Sequence, residues 1–305
     1  MTYNDIDIPL RASPAFPLAA IDWTGMTIAL VPIILRFWLR SRESQPRTAT
    51  LNISDGLVLL SWISGIVLIS INTWKNNLRQ HYIHLPHDEL YYGVPWDLSA
   101  HLLYVSWISL FFIYISLWAA KFSLLAFFAD LLHLTENRAA RIMLICASVF
   151  TGCTFILHMV LLSAWCSPVS GNWNINEHLC SAVHDIRSVS ISTASNIFTD
   201  LIILTIPLFA LYTMGQERRE ITKTRIGKAE ISGIVFVLCM AALSIVAALA
   251  RWITLMLVRN APKADITHTI DVWALVEIVA SLVAVCLPSL RSFLRKRRRR
   301  FQQIK

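Results

Sequence analysis

Four ionisable residues lie inside runs of sequence that are otherwise apolar. They are Lys121, Asp200, Arg251 and Glu277, two basic and two acidic. An ionised side chain near the centre of a bilayer costs about 2.5–3.5 kcal/mol or more, so such residues normally pair with one another inside a helix bundle. We therefore expect two ion pairs, one between Lys121 and Asp200 and the other between Arg251 and Glu277.

Two further residues share helix faces with these acids. Asn196 precedes Asp200 by one helical turn, and Trp273 precedes Glu277 by the same spacing. The sequence predicts a polar cavity that opens to the outside and takes a small-molecule ligand, lined by Lys121, Asn196, Asp200, Arg251, Trp273 and Glu277. The alternative is that the charges only hold the helices in register.

Acid catalysis is the other chemistry that this pattern allows. If the protein is an enzyme, Asp200 and Glu277 are the candidate catalytic acids, because a carboxylic acid in an apolar site can protonate a lipophilic substrate. A neighbouring cation favours the ionised carboxylate, which argues against that role. We expect no catalytic residue under the non-enzymatic interpretation.

Seven apolar segments would carry these residues, and each is near the roughly 20 residues that a helix needs to cross about 30 Å of hydrocarbon. They are Leu18 to Trp38, Gly56 to Asn72, Leu102 to Phe128, Ile142 to Ala164, Val189 to Tyr212, Ile231 to Val258 and Val272 to Leu290. The sequence predicts an all-α, polytopic membrane protein: a seven-transmembrane-helix bundle at 18–290 between a short N-terminus (1–17) and a tail (291–305). Asp55 and Asp271 are expected to cap the second and seventh helices.

The composition agrees with lipid as the main solvent. Of the 305 residues, 56% are hydrophobic and 15% are charged, with a mean hydropathy of +0.57, whereas soluble domains average about 25% charged residues. The formal net charge of +8 is concentrated in connectors and the tail, which argues against a nucleic-acid partner. We expect an integral membrane protein of the plasma membrane or an endomembrane.

The distribution of Lys and Arg predicts the orientation. With the N-terminus outside, 19 of these residues face the cytoplasm, including Arg36 near the inner end of the first span. Six face outside, including Lys75 and Arg79, and Lys121 and Arg251 lie deep within spans. Cytoplasmic connectors carry the excess of positive charge in membrane proteins, so the C-terminus is predicted to be cytoplasmic. The basic tail from Arg291 to Arg300 is expected to bind anionic lipid, and contact with a cytoplasmic protein partner is the alternative.

Cys166 and Cys180 flank the loop after the fourth span. This loop lies on the predicted oxidising side of the membrane, so we expect a disulfide between them. Two free thiols are the alternative.

Histidine residues offer a weak metal site. His81, His84 and His87 are close in sequence, but Pro86 breaks helical spacing, so a solvated loop is favoured and no metal is expected. His158, alone in the fourth span, is predicted to be a hydrogen-bonded interior residue.

Five stretches together carry a family resemblance. They are KFSLLAFFADL (Lys121 to Leu131), CSPVSGNW with the later Cys180, NIFTDLIILTIP, ARW at Arg251, and WALVEIVASLVAVCLPSLR (Trp273 to Arg291). In order and spacing they resemble the fungal rhodopsin-domain integral membrane proteins of the satratoxin-cluster type, which are related to the seven-helix part of fungal pathogenesis receptors. The resemblance covers the chain from about Arg36 to Leu294.

The resemblance implies a receptor-like protein associated with a fungal secondary-metabolite pathway. Retinal is not expected despite the family name, because the seventh span has no lysine for a Schiff base, and no other cofactor is expected. The first alternative is a membrane-bound, cyclase-like enzyme of secondary-metabolite biosynthesis. A transporter is the second, weakened by the absence of an internal repeat.

Overall fold

The described part of the chain is almost entirely helical. A computed structural model describes residues 15–42, 48–82, 84–86, 89–133, 138–175, 180, 185–221, 239, 242–254, 256 and 271–287. Five long helices are α1 (Ala15–Ser41), α2 (Ala49–His81), α3 (Trp96–His133), α4 (Arg138–Ala164) and α5 (Ile186–Ile221). Two shorter ones follow, α6 (Ala242–Thr254) and α7 (271–287).

Five of these helices are long and apolar enough to cross a membrane. They are α1 to α5, and they correspond to the first five predicted spans. The sixth predicted span, Ile231 to Val258, extends beyond the described residues at both ends. The seventh, Val272 to Leu290, does so at its C-terminal end. The structure therefore supports a helical membrane protein, while the count of seven spans and the orientation stay predictions.

The outer surface of the bundle is apolar. Ile28, Val31 and Ile156 each expose more than 60% of their surface, and long stretches of α1 and α4 are similar. A soluble protein rarely exposes a contiguous apolar surface of this extent, whereas a helix in lipid does so throughout its length. The exposed side chains therefore mark the lipid-facing side of the bundle.

Serine residues join α2 and α3 along their length. Ser54 Oγ donates to Ser123 O (2.8 Å) and Ser123 Oγ donates to Ser54 O (2.7 Å). Ser61 and Ser116 make the same reciprocal pair, each at 2.8 Å. Small side chains let two backbones approach closely, and their hydroxyls bond across the interface, as is typical of packing in membranes.

The main core lies between α1, α2, α3 and α7. Met26, Leu68, Trp118 and Ile278 are among its fully buried members. A Cβ atom built on Gly65 of α2 would lie 2.6 Å from Met26 Cε. The absence of a side chain at Gly65 therefore makes room for α1.

One end of the bundle carries a hairpin and a disulfide, and we call it the disulfide end. Strands β1 (Leu90–Tyr91) and β2 (Val94–Pro95) pair antiparallel, and both turn residues, Tyr92 (φ 56°) and Gly93 (φ 79°), are left-handed, as a two-residue hairpin turn requires. The predicted disulfide between Cys166 and Cys180 is confirmed, with its Cα atoms 5.8 Å apart.

The prediction that Asp55 caps the second helix is wrong. Helix α2 begins at Ala49 with Thr48 as its N-cap residue, so Asp55 lies about two turns inside the helix. It is buried there because Arg36 and Arg40 of α1 both pair with its carboxylate. The segment before Asp271 lies outside the described residues, so its capping role stays a prediction.

The second and third helices are also longer than predicted. Helix α2 was expected at Gly56 to Asn72 and runs from Ala49 to His81, while α3 was expected at Leu102 to Phe128 and runs from Trp96 to His133. A prediction from hydropathy ends a span at the first polar residues. In α2 these polar residues remain helical because they are buried and paired inside the bundle.

Candidate functional site: a charged network joining four helices

Lys121 of α3 lies at the centre of a buried polar cluster. Its Nζ is 2.9 Å from Asp200 Oδ1. It also donates to Asn196 O (2.9 Å), Asn196 Oδ1 (2.8 Å) and Thr199 Oγ1 (2.5 Å) on α5. Asn196, Thr199 and Asp200 lie within about one turn of α5, so a single helix face supplies all of these oxygen atoms.

Asn196 connects this pair to a second one. Its Nδ2 donates to Glu277 Oε1 on α7. Glu277 Oε2 in turn lies 3.5 Å from Arg251 NH2 on α6. Asp200 accepts a further hydrogen bond from Ser244 Oγ of α6 at 3.3 Å. One continuous network therefore joins α3, α5, α6 and α7.

We call this set the charged network, and its members are Lys121, Asn196, Thr199, Asp200, Ser244, Arg251 and Glu277. Glu277 is fully buried and Lys121 is 5% exposed. The two cations and two carboxylates sum to zero charge, and mutual neutralisation is what makes such groups tolerable in a low-dielectric interior.

Both ion pairs predicted from the sequence are present. The bridging donor Asn196 was predicted to share the site, but Thr199 and Ser244 were not. Thr199 lies three residues after Asn196, a helical spacing that could have identified it. Ser244 was not among the predicted site residues, and only the approach of α6 to α5 shows that it bonds to Asp200.

Trp273 is half-buried on α7, one turn before Glu277. Within the described part of the chain, no hydrogen bond or ring contact ties its indole to the charged network. The cavity predicted around these residues stays a prediction. The network side chains themselves are buried, since Asn196 is 1% exposed and Arg251 is 7% exposed.

A second buried cluster lies at the opposite end from the disulfide, and we call it the Arg36 cluster. Arg36 Nε donates to Asp55 Oδ1 (2.9 Å), NH2 to Ser54 Oγ (2.7 Å) and NH1 to Val285 O of α7 (2.9 Å). Arg40 pairs with the same carboxylate. Arg36 was predicted to face the cytoplasm with the first connector, whereas its guanidinium is buried and joins α1, α2 and α7.

A third polar set lies at the disulfide end of α2. Asn72, Lys75, Asn76 and Arg79 are all buried. Lys75 Nζ is 2.9 Å from Asp271 Oδ2 on α7. The two basic residues were predicted to face outside in a connector, so this cluster was not expected.

The histidine residues have separate roles. His158 is 1% exposed, and its ring nitrogens lie 2.6 Å from Thr154 O and 3.2 Å from Ser192 O, which confirms the predicted interior role. His81 and His84 are exposed, and His87 lies outside the described residues. Among the residues that the structure describes, no three potential metal ligands come together.

Comparison with known proteins identifies the family. No curated protein and no solved structure gives a significant match. The model of the fungal rhodopsin domain matches residues 35–296, a range that includes the whole charged network and the Arg36 cluster. This protein is an integral membrane protein and belongs to the fungal rhodopsin domain family.

Proposed function

We propose that this protein is receptor-like and binds a small ligand from the outer face of the membrane, with seven spans, its N-terminus outside and its C-terminus in the cytoplasm. The observation that carries the proposal is the charged network, since one set of buried contacts joins α3, α5, α6 and α7. Any ligand-driven movement among these helices must exchange partners within it.

The ligand would act by competing for these partners. An acidic or hydrogen-bonding group can replace Asp200 or Asn196 at the ammonium group of Lys121, which already binds several oxygen atoms. A ligand shifts a conformational equilibrium only by binding one state better than the other. A network of discrete pairs provides such distinct states. The binding residues that we propose are Lys121, Asn196, Asp200, Arg251, Trp273 and Glu277.

The biological setting is proposed from the resemblance to the satratoxin-cluster type. It supports involvement in a fungal secondary-metabolite pathway, at the plasma membrane or an endomembrane. We propose that the basic segment from Arg291 to Arg300, which lies outside the described residues, binds anionic lipid. A cytoplasmic protein is the alternative partner of the same segment.

We propose that the protein works without retinal. The only lysine among the network residues is Lys121, which lies in α3, and its Nζ is held by Asp200, Asn196 and Thr199. A Schiff base needs a neutral, accessible amine. An ammonium group in an ion pair does not supply one.

A membrane-bound, acid-catalysed cyclase is the second candidate. The complete burial of Glu277 favours it, because a carboxylic acid in an apolar site is suited to proton transfer. Both candidate acids, Asp200 and Glu277, are however paired with cations. A cation beside a carboxyl group opposes its protonation and so works against the effect of burial. A transporter is the third candidate.

A deletion strain profiled for metabolites and transcripts separates the candidates. The receptor proposal predicts that transcription across the pathway falls and that no single intermediate accumulates. Complementation with Asp200→Asn should restore neither the transcripts nor the wild-type metabolite profile. The control variant Asn52→Leu, at an exposed position of α2, should restore both. Accumulation of one unprocessed intermediate, together with its conversion by the purified wild-type protein, would overturn the proposal in favour of the enzyme.

A further inference from the structure

The lipid-facing side of α1 ends in a tryptophan and an arginine. Val31, Leu35 and Trp38 are 64%, 40% and 47% exposed, and Arg42, which directly follows the helix, is exposed as well. Their spacings of four, three and four residues put all four on one side of α1 and its continuation. An apolar stripe that faces hydrocarbon therefore leads directly to an exposed cation.

Trp38 and Arg42 contact each other at the end of this stripe. The guanidinium carbon of Arg42 lies 4.6 Å from the centre of the Trp38 ring. Tryptophan is enriched where the hydrocarbon meets the lipid head groups, because its ring is apolar and its N–H is polar. The contact therefore holds the guanidinium of Arg42 at the depth of the head groups.

The positive charge at this end of α1 is not balanced by acids in the part of the chain that the structure describes. Arg36 Nε lies 2.9 Å from Asp55 Oδ1, and Arg40 pairs with the same oxygen atom. Arg42 contacts the Trp38 ring instead of a carboxylate. Three arginines thus share one acid. The Arg40 side chain is 13% exposed, so part of this excess charge reaches the surface.

Asp130 does not supply the missing charge. It is the other acid at this end of the bundle whose side chain the structure describes, and it lies on α3. Its Oδ1 accepts hydrogen bonds from Thr48 Oγ1 (2.6 Å) and Thr50 Oγ1 (3.2 Å) at the start of α2. Asp130 is therefore engaged with hydroxyl groups, and Arg42 stays available to an external anion.

We propose that Trp38 and Arg42 form a binding site for an anionic phospholipid, in the leaflet at the end of the bundle opposite the disulfide. The guanidinium of Arg42 binds the lipid phosphate, since its planar fork matches phosphate oxygens. The Trp38 ring packs beside the glycerol region, and the acyl chains lie along Leu35 and Val31. A zwitterionic lipid brings its own cation, so the excess positive charge favours a head group with net negative charge.

This lipid site goes beyond the receptor proposal and does not depend on it. It lies on the outer surface of α1, away from the charged network, and it is separate from the basic segment from Arg291 to Arg300. It also does not depend on the orientation of the protein, because a nanodisc presents the same lipid in both leaflets. The experiment must distinguish a local site at Trp38 and Arg42 from general attraction by the net positive charge.

Quenching of Trp38 fluorescence by brominated lipids measures binding at this site. The full chain is placed in phosphatidylcholine nanodiscs that contain increasing fractions of brominated phosphatidylserine or, for comparison, brominated phosphatidylcholine. The Trp38 signal is the difference between the protein and its Trp38→Phe variant. We expect phosphatidylserine to be preferred about fivefold over phosphatidylcholine at Trp38, the effect of roughly one basic residue at an anionic surface.

The variants test the role of Arg42. Arg42→Gln, compared with its own Trp38→Phe derivative, should abolish most of the preference for phosphatidylserine. Arg141→Gln is the matched control, because Arg141 is exposed in the first turns of α4 at the same end of the bundle. It removes the same charge and should leave the preference at Trp38 unchanged. Both arginines and Trp38 are exposed, so these substitutions remove no buried contact.

Two results would overturn the inference. One is equal quenching of Trp38 by the two brominated lipids in the wild-type protein, which would mean that α1 carries no site for an anionic head group. The other is an equal loss of preference in Arg42→Gln and Arg141→Gln, which would assign the attraction to the overall charge of the protein. Neither result bears on the transcript profile of the deletion strain, so failure of this site and failure of the receptor proposal are distinguishable.

Discussion

At the scale of single residues, the four charges of the charged network are matched one to one. Lys121 faces Asp200, Arg251 faces Glu277, and Asn196 connects the two pairs through its amide group. Removing one member of a buried ion pair is costly because its partner is left charged in an apolar interior. The bridging asparagine is uncharged, so its contribution can be tested without unbalancing the network.

Asn196→Leu should therefore destabilise the protein by about 1–3 kcal/mol, the usual cost of leaving buried partners unsatisfied. Lys121 loses an acceptor and Glu277 loses a donor, while the side chain keeps its branching and its number of heavy atoms. The free energy of unfolding in detergent micelles measures the effect. The control Asn52→Leu, at an exposed position of α2, should change that energy by less than about 0.5 kcal/mol. Equal effects of the two substitutions would contradict the bridging role.

At the scale of helices, close approach is achieved with small residues. The reciprocal serine pairs hold α2 against α3, and Gly65 admits the end of the Met26 side chain from α1. The Arg36 cluster then ties α1, α2 and α7 together at the other end. Helix α2 thus contacts its neighbours through small and polar residues as well as through core residues such as Leu68.

Gly65→Leu should destabilise the bundle by about 1–3 kcal/mol, the usual cost of overpacking. A side chain at this position meets the end of the fully buried Met26 side chain, which must then shift within the packed core. Gly56→Leu is the matched control, because a Cβ atom there meets nothing within 4 Å. Unfolding of both variants under the same detergent conditions gives the comparison. If Gly56→Leu costs as much as Gly65→Leu, the close approach of α1 is not what the glycine provides.

At the scale of the whole molecule, the apolar surface and the polar interior were predictable to different degrees. The two network ion pairs followed from four charges in apolar segments, because lipid leaves such charges few alternatives to pairing. The Arg36 cluster and the buried polar set of α2 (Asn72, Lys75, Asn76 and Arg79) were not predicted. Their residues lie near the ends of spans, where a sequence cannot distinguish a solvated charge from one that folds back into the bundle.

Helix lengths were underestimated for the same reason. The polar residues after Asn72 in α2 looked like a connector, yet the helix continues to His81 because its neighbours satisfy or enclose those side chains. Asp55 was predicted to be a helix cap because no ion-pair partner was evident in the sequence. Its partner, Arg36, lies on another helix. Contacts between helices fix these details, and no local pattern in the chain encodes them.

The orientation of the molecule is a separate prediction. The excess of basic residues on one side predicts an N-terminus outside and a cytoplasmic C-terminus. A glycosylation acceptor sequence added before residue 15 should therefore be modified in cells, and one added after residue 305 should not. Modification of the C-terminal acceptor alone would reverse the topology and would put the proposed ligand entry on the wrong side.

The double-mutant cycle of Lys121→Met and Asp200→Leu tests the central claim most directly, namely that opposite charges on different helices hold the buried network together. Each single substitution leaves an unpaired charge and should lower the free energy of unfolding by about 3–5 kcal/mol. The double variant should recover at least about 2 kcal/mol of the summed loss, within the range of coupling between residues in contact. Additive losses, with coupling below about 0.5 kcal/mol, would contradict the account.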